Sequence, residues 1–289
     1  MTNEPSVLIV STVADVATDH VVQRLRELGV AHRRLNTESF PFSTTISFEL
    51  DGASCAHVVA GGEDVGQPSA IWYRRVRTPE RPEGMEPGVY DFCLQETRAA
   101  LLGSILSLKG RWMSAPQNVW RAEFKPLQLA IASEVGLKVP PTFITNDAKV
   151  VRRAFSSLKS MIVKPAMSGH VVFGGQEHAI YTSKLLEQHL EHLDQAKLSP
   201  AIYQGLVEKR FDIRATVVGD KVLAAAIFRP GGQPAIQLDG QRYVAKPIKG
   251  LSASIRCVLR IMCVMSSRRR RKKTAMASLV RAIKNAQAH

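Results

Sequence analysis

The segment from Tyr203 to Ile227, YQGLVEKRFDIRATVVGDKVLAAAI, most strongly constrains how this chain can fold. Two runs of alternating residues follow a short apolar stretch, and Gly219-Asp220 separates the runs. Alternation is typical of β-strands, and a glycine-containing pair between two strands indicates a hairpin turn. Because side chains alternate sides along a strand, Asp212 and Arg214 are expected on one face. The segment therefore predicts a hairpin that presents an acid beside a permanent cation.

A second motif lies upstream, in IVKPAMSGHVVFGG. It places Lys164 at the end of another predicted strand, and a loop that contains Gly169 follows. A lysine, a flexible loop, an acid and an arginine are suited to holding a nucleoside triphosphate. The glycines do not form a GxxxxGK[ST] pattern, so a P-loop is excluded. Each signal alone has a plainer interpretation, since a Lys-Pro is commonly on the surface and an Asp-Arg pair is commonly structural.

The net charge of +14 is concentrated at the end of the chain. Thirteen of the 39 Lys and Arg residues follow Asp239, and no acidic residue does, so the remaining 26 nearly balance the 25 acids. The body is therefore electrically ordinary, and the basic tail has to be interpreted separately. Its run SRRRRKK has no interleaved aromatic residue and could grip phosphates without sequence preference, or could be a solvated charged segment.

Bulk properties indicate a cytoplasmic, soluble protein of 289 residues with room for more than one domain. No run of about 18 apolar residues predicts a membrane-spanning helix. The N-terminus lacks the basic start and the cleavage site of a signal peptide. The four cysteines have no metal-ligand spacing, so reduced thiols are expected.

Periodicity predicts two kinds of architecture along the chain. Strands and helices alternate over residues 1–113, which predicts an open α/β domain. From Ser114, helices mixed with mostly antiparallel strands predict an α+β region, including a helix that stops at Gly136. Near the end, Ile255, Val258, Leu259 and Met262 have helical spacing and predict an amphipathic helix.

The order and spacing of four segments carry a family resemblance: FKPLQL, GLKVPPTFITND, VKP and YQGLVEKRFDIR. This set resembles the ATP-grasp superfamily and, more closely, the graspetide or microviridin-type maturases that cyclise ribosomally made precursor peptides. The resemblance covers about residues 6–230 and includes VLIVSTVADVATDHVV and IWYRR. The glutamate or amino-acid ligase branch of the superfamily is the alternative.

The resemblance implies an ATP-grasp fold with four parts. They are a pre-ATP-grasp α/β domain (1–113), a central lobe (114–198), a partial C-terminal lobe (199–250) and a divergent basic tail (251–289). ATP would be held between the two lobes. The reaction would join a peptide carboxylate to an amine or hydroxyl through an acyl phosphate, giving a lactam or lactone.

The site residues follow from the same resemblance. Lys125 and Lys164 match the lysines that contact ATP phosphates, a task suited to point charges on flexible stems. Asp212 matches the position that binds ribose hydroxyls, and Arg214 matches an arginine that stabilises the acyl phosphate and its transition state. Gly169 lies in the loop that closes over the phosphates. The hinge that reads adenine through its backbone matches Gln204, Gly205, Leu206 and Val207.

The resemblance further implies Mg²⁺ as cofactor and an acidic precursor peptide as partner, with the oligomeric state open and a homodimer among the alternatives. Arg74 and Arg75 either help to hold an acidic substrate or form a solvated strand end. Nucleic acid is expected to bind only through the basic tail.

The chain departs from the family after Asp239, where the magnesium-binding acids are expected and none exists. Three interpretations remain open: a frameshift or truncation, a non-catalytic nucleotide- or peptide-binding relative, and a functional basic tail. In each case poor binding of magnesium-ATP is predicted, and whether the chain is an active enzyme is left open.

Overall fold

A computed structural model of the chain describes residues 6–50, 52, 56–158, 160–167, 169–174, 176–208, 211–218, 221–228, 244–247 and 257–264. The chain divides into two compact units, Met1–Pro116 and Gln117–His289. Each unit has its own sheets and is described separately.

Unit 1 contains seven strands and two α-helices among its described residues. In chain order they are β1 (Ser6–Ser11), α1 (Val16–Glu27), β2 (Ala31–Asn36), β3 (Ile46–Leu50), β4 (Ala56–Ala60), β5 (Glu63–Asp64), β6 (Ala70–Tyr73), α2 (Pro87–Ser107) and β7 (Arg111–Met113). A short 3-10 helix, Thr37–Ser39, follows β2.

The main sheet of unit 1 is parallel, with strand order β2-β1-β6-β7. Its central strand is apolar on both faces, as parallel strands covered on both sides usually are, and Leu8, Ile9 and Val10 are fully buried. The α/β architecture expected for this region is confirmed. Strands β3, β4 and β5 form a separate antiparallel sheet, in which β4 pairs with both β3 and β5.

Unit 2 begins with helices and continues with mostly antiparallel strands. The helices are α3 (Pro116–Glu123), which starts at the unit boundary, α4 (Lys125–Glu134), α5 (Ala148–Ser157) and a 3-10 helix (Glu187–Leu198). The strands are β8 (Thr142–Thr145), β9 (Met161–Pro165), β10 (His170–Phe173), β11 (Gln176–Ala179), β12 (Ser183–Leu185), β13 (Ala201–Gly205), β14 (Phe211–Val218), β15 (Lys221–Phe228), β16 (Val244–Pro247) and β17 (Cys257–Val264).

The sheet that carries the candidate site has the order β12-β9-β13-β8, with antiparallel pairing throughout. One face packs on α5 and on the 3-10 helix, and its core includes Val151, Met161 and Tyr203. Helix α5 begins where the Asp147 carboxylate accepts a hydrogen bond from the Lys149 backbone N–H at 2.8 Å, which is an N-cap. The other face bears the alternate residues of the same strands.

The hairpin predicted from the alternating segment is confirmed. Strands β14 and β15 pair antiparallel, with Asp212 opposite Ile227 and Arg214 opposite Ala225. The Gly219-Asp220 turn lies outside the described residues, as do the arginine run and the boundary at Gly250.

The helix predicted around Val258 and Met262 is wrong, because the structure has strand β17 there, parallel to β14. An apolar run of this length satisfies both helical and strand periods, so its spacing does not decide between them. Pairing with β14 along its whole length provides partners for the strand's backbone.

The mixed α/β and α+β architecture is thus present. The C-terminal lobe is expected to be incomplete because no acid follows Asp239, and most residues after that position lie outside the described ranges. Among the helices that can be described, none is both long enough and apolar enough to cross a membrane.

Candidate functional site

A chain of three hydrogen bonds crosses the face of the β9-β13-β8 sheet that lies opposite α5. The Lys164 ammonium donates to Gln204 Oε1 at 2.9 Å, and Gln204 Nε2 donates to Thr142 Oγ1 at 2.7 Å. The Thr142 hydroxyl in turn donates to the Pro140 carbonyl at 2.7 Å. Gln204 is only 7% exposed, so its amide has to find partners inside the protein. Two residues predicted for the site, Lys164 and Gln204, are therefore in direct contact.

Strand register explains why these side chains meet. Gln204 pairs with Thr142 on one side, while Lys164 pairs with Ile202, two residues from Gln204. Residues opposite each other, or two apart along a strand, lie on the same face of a sheet. The neighbouring positions Met161 and Tyr203 point into the core that α5 covers. The sheet thus has an apolar, helix-covered face and a face with a lysine, an amide and a hydroxyl.

The predicted hinge begins with the last two residues of β13, Gln204 and Gly205, and continues to Val207. Two of its backbone N–H groups are already used. Gly205 N–H donates to the Pro141 carbonyl at 2.9 Å, and Leu206 N–H donates to the Ser160 carbonyl at 3.0 Å. These bonds tie the hinge to the segments that precede β8 and β9. For the next amide, that of Val207, no backbone hydrogen bond is present among the residues that the structure describes.

A pocket of about 490 Å³ lies against this hinge. Its lining is Pro140, Pro141, Leu158, Ser160, Gly205, Leu206, Val207 and Glu208. Three of the four predicted hinge residues are therefore pocket-lining, and the fourth, Gln204, connects the pocket's proline wall to Lys164. Small-molecule sites are typically apolar with a few polar groups, and this lining has that character.

Two observations describe the space beside the hinge. A Cβ added at Gly205 would make ordinary van der Waals contact with Pro141, at 3.6 Å, without a clash. The Ser160 Oγ atom is buried and has no hydrogen-bond partner among the residues that the structure describes. Apolar walls beside unused polar groups are suited to a flat heteroaromatic ring.

The other predicted site residues lie on separate elements. Lys125 is the first residue of α4 and is partly buried. Gly169 precedes β10, where its carbonyl accepts a hydrogen bond from Ile180 N–H, and an added Cβ would clash with the Ile180 carbonyl. Close backbone packing alone therefore requires a glycine at 169. Asp212 and Arg214 lie two residues apart on β14, and their side chains are outside what the structure describes.

Unit 1 has its own polar cluster, at the carboxyl end of its parallel sheet. The Asp15 carboxylate, 4% exposed, accepts hydrogen bonds from Ser11 at 3.2 Å, Thr18 at 3.0 Å and Arg74 Nε at 2.5 Å. Burial raises the pKa of Asp15, but these donors outweigh it and hold the pKa well below its ordinary value. The Arg74 guanidinium also lies over the Trp72 ring, at 5.3 Å.

These contacts correct part of the sequence interpretation of the two arginines. Arg75 is exposed, as expected for a solvated strand end. Arg74 is not, because it forms an internal ion pair with Asp15. A similar network lies nearby, where the Glu38 carboxylate accepts from Val13 N–H at 2.6 Å and from the Thr12 hydroxyl. Burial raises the pKa of Glu38, yet the donors lower it overall.

The polar strand face, the hinge and the adjoining pocket together form the candidate functional site. Residues 6–120 match the MvdD pre-ATP-grasp domain, and the chain is similar to ATP-grasp ligases of the graspetide-type peptide maturases. No curated protein matches the sequence.

Several solved structures are similar to this chain. The macrocyclase MdnC of Microcystis aeruginosa MRC, bound to its precursor peptide MdnA, is 26% identical with a TM-score of 0.71, over 76% of this chain and 74% of MdnC. A RiPP-associated ATP-grasp ligase of Chryseobacterium gregarium, in complex with ADP and a leader and core peptide, is 25% identical with a TM-score of 0.70, over 77% and 69% of the two chains. The ligase PsnB, 22% identical over 97% of this chain and 82% of its own with a TM-score of 0.70, shares the fold.

The described residues do not include a candidate magnesium site. PsnB has been solved with Mg and ADP. In the part of this chain that the structure describes, no group of three or more His, Cys, Asp or Glu side chains could hold a metal ion. No acid follows Asp239 in the sequence either.

Sequence reasoning missed Thr142 and Ser160. Thr142 is the first residue of TFIT, inside a segment that was selected, and Ser160 directly precedes the strand that ends in VKP. Their importance depends on which strands are neighbours, and a single sequence does not specify that order.

Proposed function

We propose that this chain is an ATP-dependent ligase that acts on a ribosomally made precursor peptide. The phosphoryl group of ATP would pass to a side-chain carboxylate of the peptide, with release of ADP. A hydroxyl or amine of the same peptide would then attack the acyl carbon, lose its proton and expel phosphate, which leaves an ester or an amide.

One observation carries this proposal: the partly buried hydrogen bond between Lys164 and Gln204 links a candidate phosphate-binding cation to the strand that leads into the pocket-lining hinge. The pocket would hold the base, with the Val207 N–H and the Ser160 hydroxyl as polar groups. Lys164 and Lys125 would contact phosphates, and the Gly169 loop would cover them. Asp212 would bind ribose, and Arg214 would stabilise charge on the transferred group.

The resemblance to MdnC and to the Chryseobacterium ligase supports a peptide as substrate, because both have been solved with one. An acidic peptide is the form that the proposed chemistry requires, since a carboxylate has to be activated. The protein's contribution would be positioning and charge neutralisation rather than a covalent nucleophile.

The test uses the full chain, ATP, Mg²⁺ and, as the probe peptide, MdnA, the precursor present in the MdnC structure. An active ligase is expected to lower the peptide mass by one water for each ring and to release one phosphate for each ring. Lys164→Ala should slow both strongly, whereas Lys149→Ala, on the exposed surface of α5, should not. Phosphate release without any change in peptide mass would argue against ligation.

A second candidate, nucleotide or peptide binding without catalysis, is favoured by the lack of any acid in residues 240–289. It predicts that ADP and the peptide bind while neither phosphate release nor mass loss occurs. The same reaction therefore separates the two functions.

A further inference from the structure

We propose that Gln204 is a positioning residue, which holds the Lys164 ammonium in place without neutralising its charge. The inference rests on the proposed function, because it assigns the phosphate contact to Lys164. It adds a role for the Gln204 side chain, and for Thr142 behind it, to the backbone role of the hinge.

The orientation of the Gln204 amide follows from its two partners. A lysine ammonium can only donate hydrogen bonds, so the group that faces Lys164 has to be the amide oxygen. The Thr142 hydroxyl uses its single hydrogen on the Pro140 carbonyl, so it has to accept from the Gln204 NH₂ group. We call the three hydrogen bonds that join Lys164, Gln204, Thr142 and Pro140 the relay. The relay therefore has one consistent arrangement of donors and acceptors.

A neutral acceptor is the chemically significant feature of this arrangement. A carboxylate at 204 would also hold Lys164, but it would cancel the positive charge that an anionic ligand needs. The amide occupies one of the three ammonium hydrogens and, unlike a carboxylate, adds no negative charge beside it. Because Gln204 is buried and bonded at both ends, it restricts where the Lys164 head group can lie.

The relay also connects the two parts of the candidate nucleotide site. Pro140 lines the base pocket, and its carbonyl is the acceptor at the end of the chain of bonds. Lys164 lies at the other end. The distance between the base pocket and the ammonium is thus set by two side chains on adjacent strands.

The test compares the affinities of adenosine, AMP and ADP for the full chain, measured by isothermal titration calorimetry without metal. The informative quantity is the ratio of the adenosine dissociation constant to that of ADP, which reports the contribution of the phosphates. Gln204→Glu keeps the side-chain shape and should reduce this ratio about tenfold, the effect of one lost charge-assisted contact. Adenosine affinity should stay within about twofold of the wild type, which corresponds to a few tenths of a kcal/mol.

Thr142→Val tests the hydrogen bond between Gln204 and Thr142, because valine has the shape of threonine without the hydroxyl. It frees the Gln204 amide to rotate and should reduce the same ratio about threefold. Thr145→Val is the matched control: it makes the same change on β8, where Thr145 Oγ1 only accepts from the Asp147 N–H at 2.9 Å. It should leave the ratio unchanged.

The role of Gln204 would be overturned if Gln204→Glu kept the wild-type ratio, or if it weakened adenosine and ADP equally, as a general structural defect would. Should Gln204→Glu fail to fold, Thr142→Val decides alone by the same criteria. A wild-type chain that binds none of the three ligands would overturn the proposed function as well, whereas normal binding with an unchanged ratio overturns only this inference.

Discussion

Replacing Asp15 by asparagine tests the polar cluster of unit 1 most sharply. The change preserves the size of the side chain but removes the charge that pairs with Arg74. Breaking a buried ion pair from one side typically costs about 3–5 kcal/mol. Because the Arg74 side chain remains 22% exposed, water can compensate part of this loss, so about 2–4 kcal/mol is expected.

The pH dependence of this effect has a definite sign. The pKa of Asp15 is lowered in the folded state, although burial alone would raise it, because Arg74, Thr18 and Ser11 donate to the carboxylate. A lowered folded-state pKa favours the folded chain at pH values above the unfolded pKa, and this advantage is lost as the pH falls below about 4. The wild type should therefore lose stability in acid more steeply than Asp15→Asn does.

Urea unfolding followed by tryptophan fluorescence is the suitable assay, because Trp72 lies under the Arg74 guanidinium and should report the transition. Asp19→Asn is the control, since Asp19 pairs with Arg34 at 2.6 Å but is 56% exposed. Its cost should be about 1 kcal/mol or less. Equal, small losses for both variants at pH 7 would refute the idea that burial makes the Asp15 pair important.

Three further predictions concern unit 2. Gly205→Ala should fold normally because an added Cβ would make only ordinary van der Waals contact with Pro141, whereas Gly169→Ala should disturb the β10-β11 hairpin; circular dichroism and limited proteolysis compare the two. Equal disturbance would contradict the packing at 169. Met161→Ala, at a fully buried position, should lower the free energy of unfolding by about 2–5 kcal/mol in chemical denaturation, and a loss below 1 would argue against this core. Asp147→Ala should lower it by about 1 kcal/mol through loss of the α5 N-cap, and an unchanged value would exclude the cap.

Much of the fold could be predicted from the sequence because local patterns determine local structure. The alternation in FDIRATVV and KVLAAAIF predicts the hairpin, and the apolar run SVLIVS predicts the buried strand β1. Strand β17 could not be predicted in this way. Its apolar run satisfies two periods, and its partner β14 lies more than forty residues earlier in the chain.

The candidate site was predictable only in part, for a similar reason. Lys164 and Gln204 could be selected from motifs, but their contact depends on the β9-β13-β8 order of the sheet. Thr142 enters the site only through its register with Gln204. The ion pair of Arg74 depends on a carboxylate 59 positions away, which no local pattern reveals. The roles assigned to Lys125, Asp212 and Arg214 remain predictions.

The most direct test of the central claim is a titration of ADP into the full chain and into Lys164→Ala. The hinge pocket and the Lys164–Gln204 contact together predict that the wild type binds ADP. They also predict that the substitution weakens binding at least tenfold, about 1.4 kcal/mol, while adenosine affinity changes little. Absence of ADP binding by the wild type, or equal ADP affinities for the two proteins, would contradict the assignment of this site.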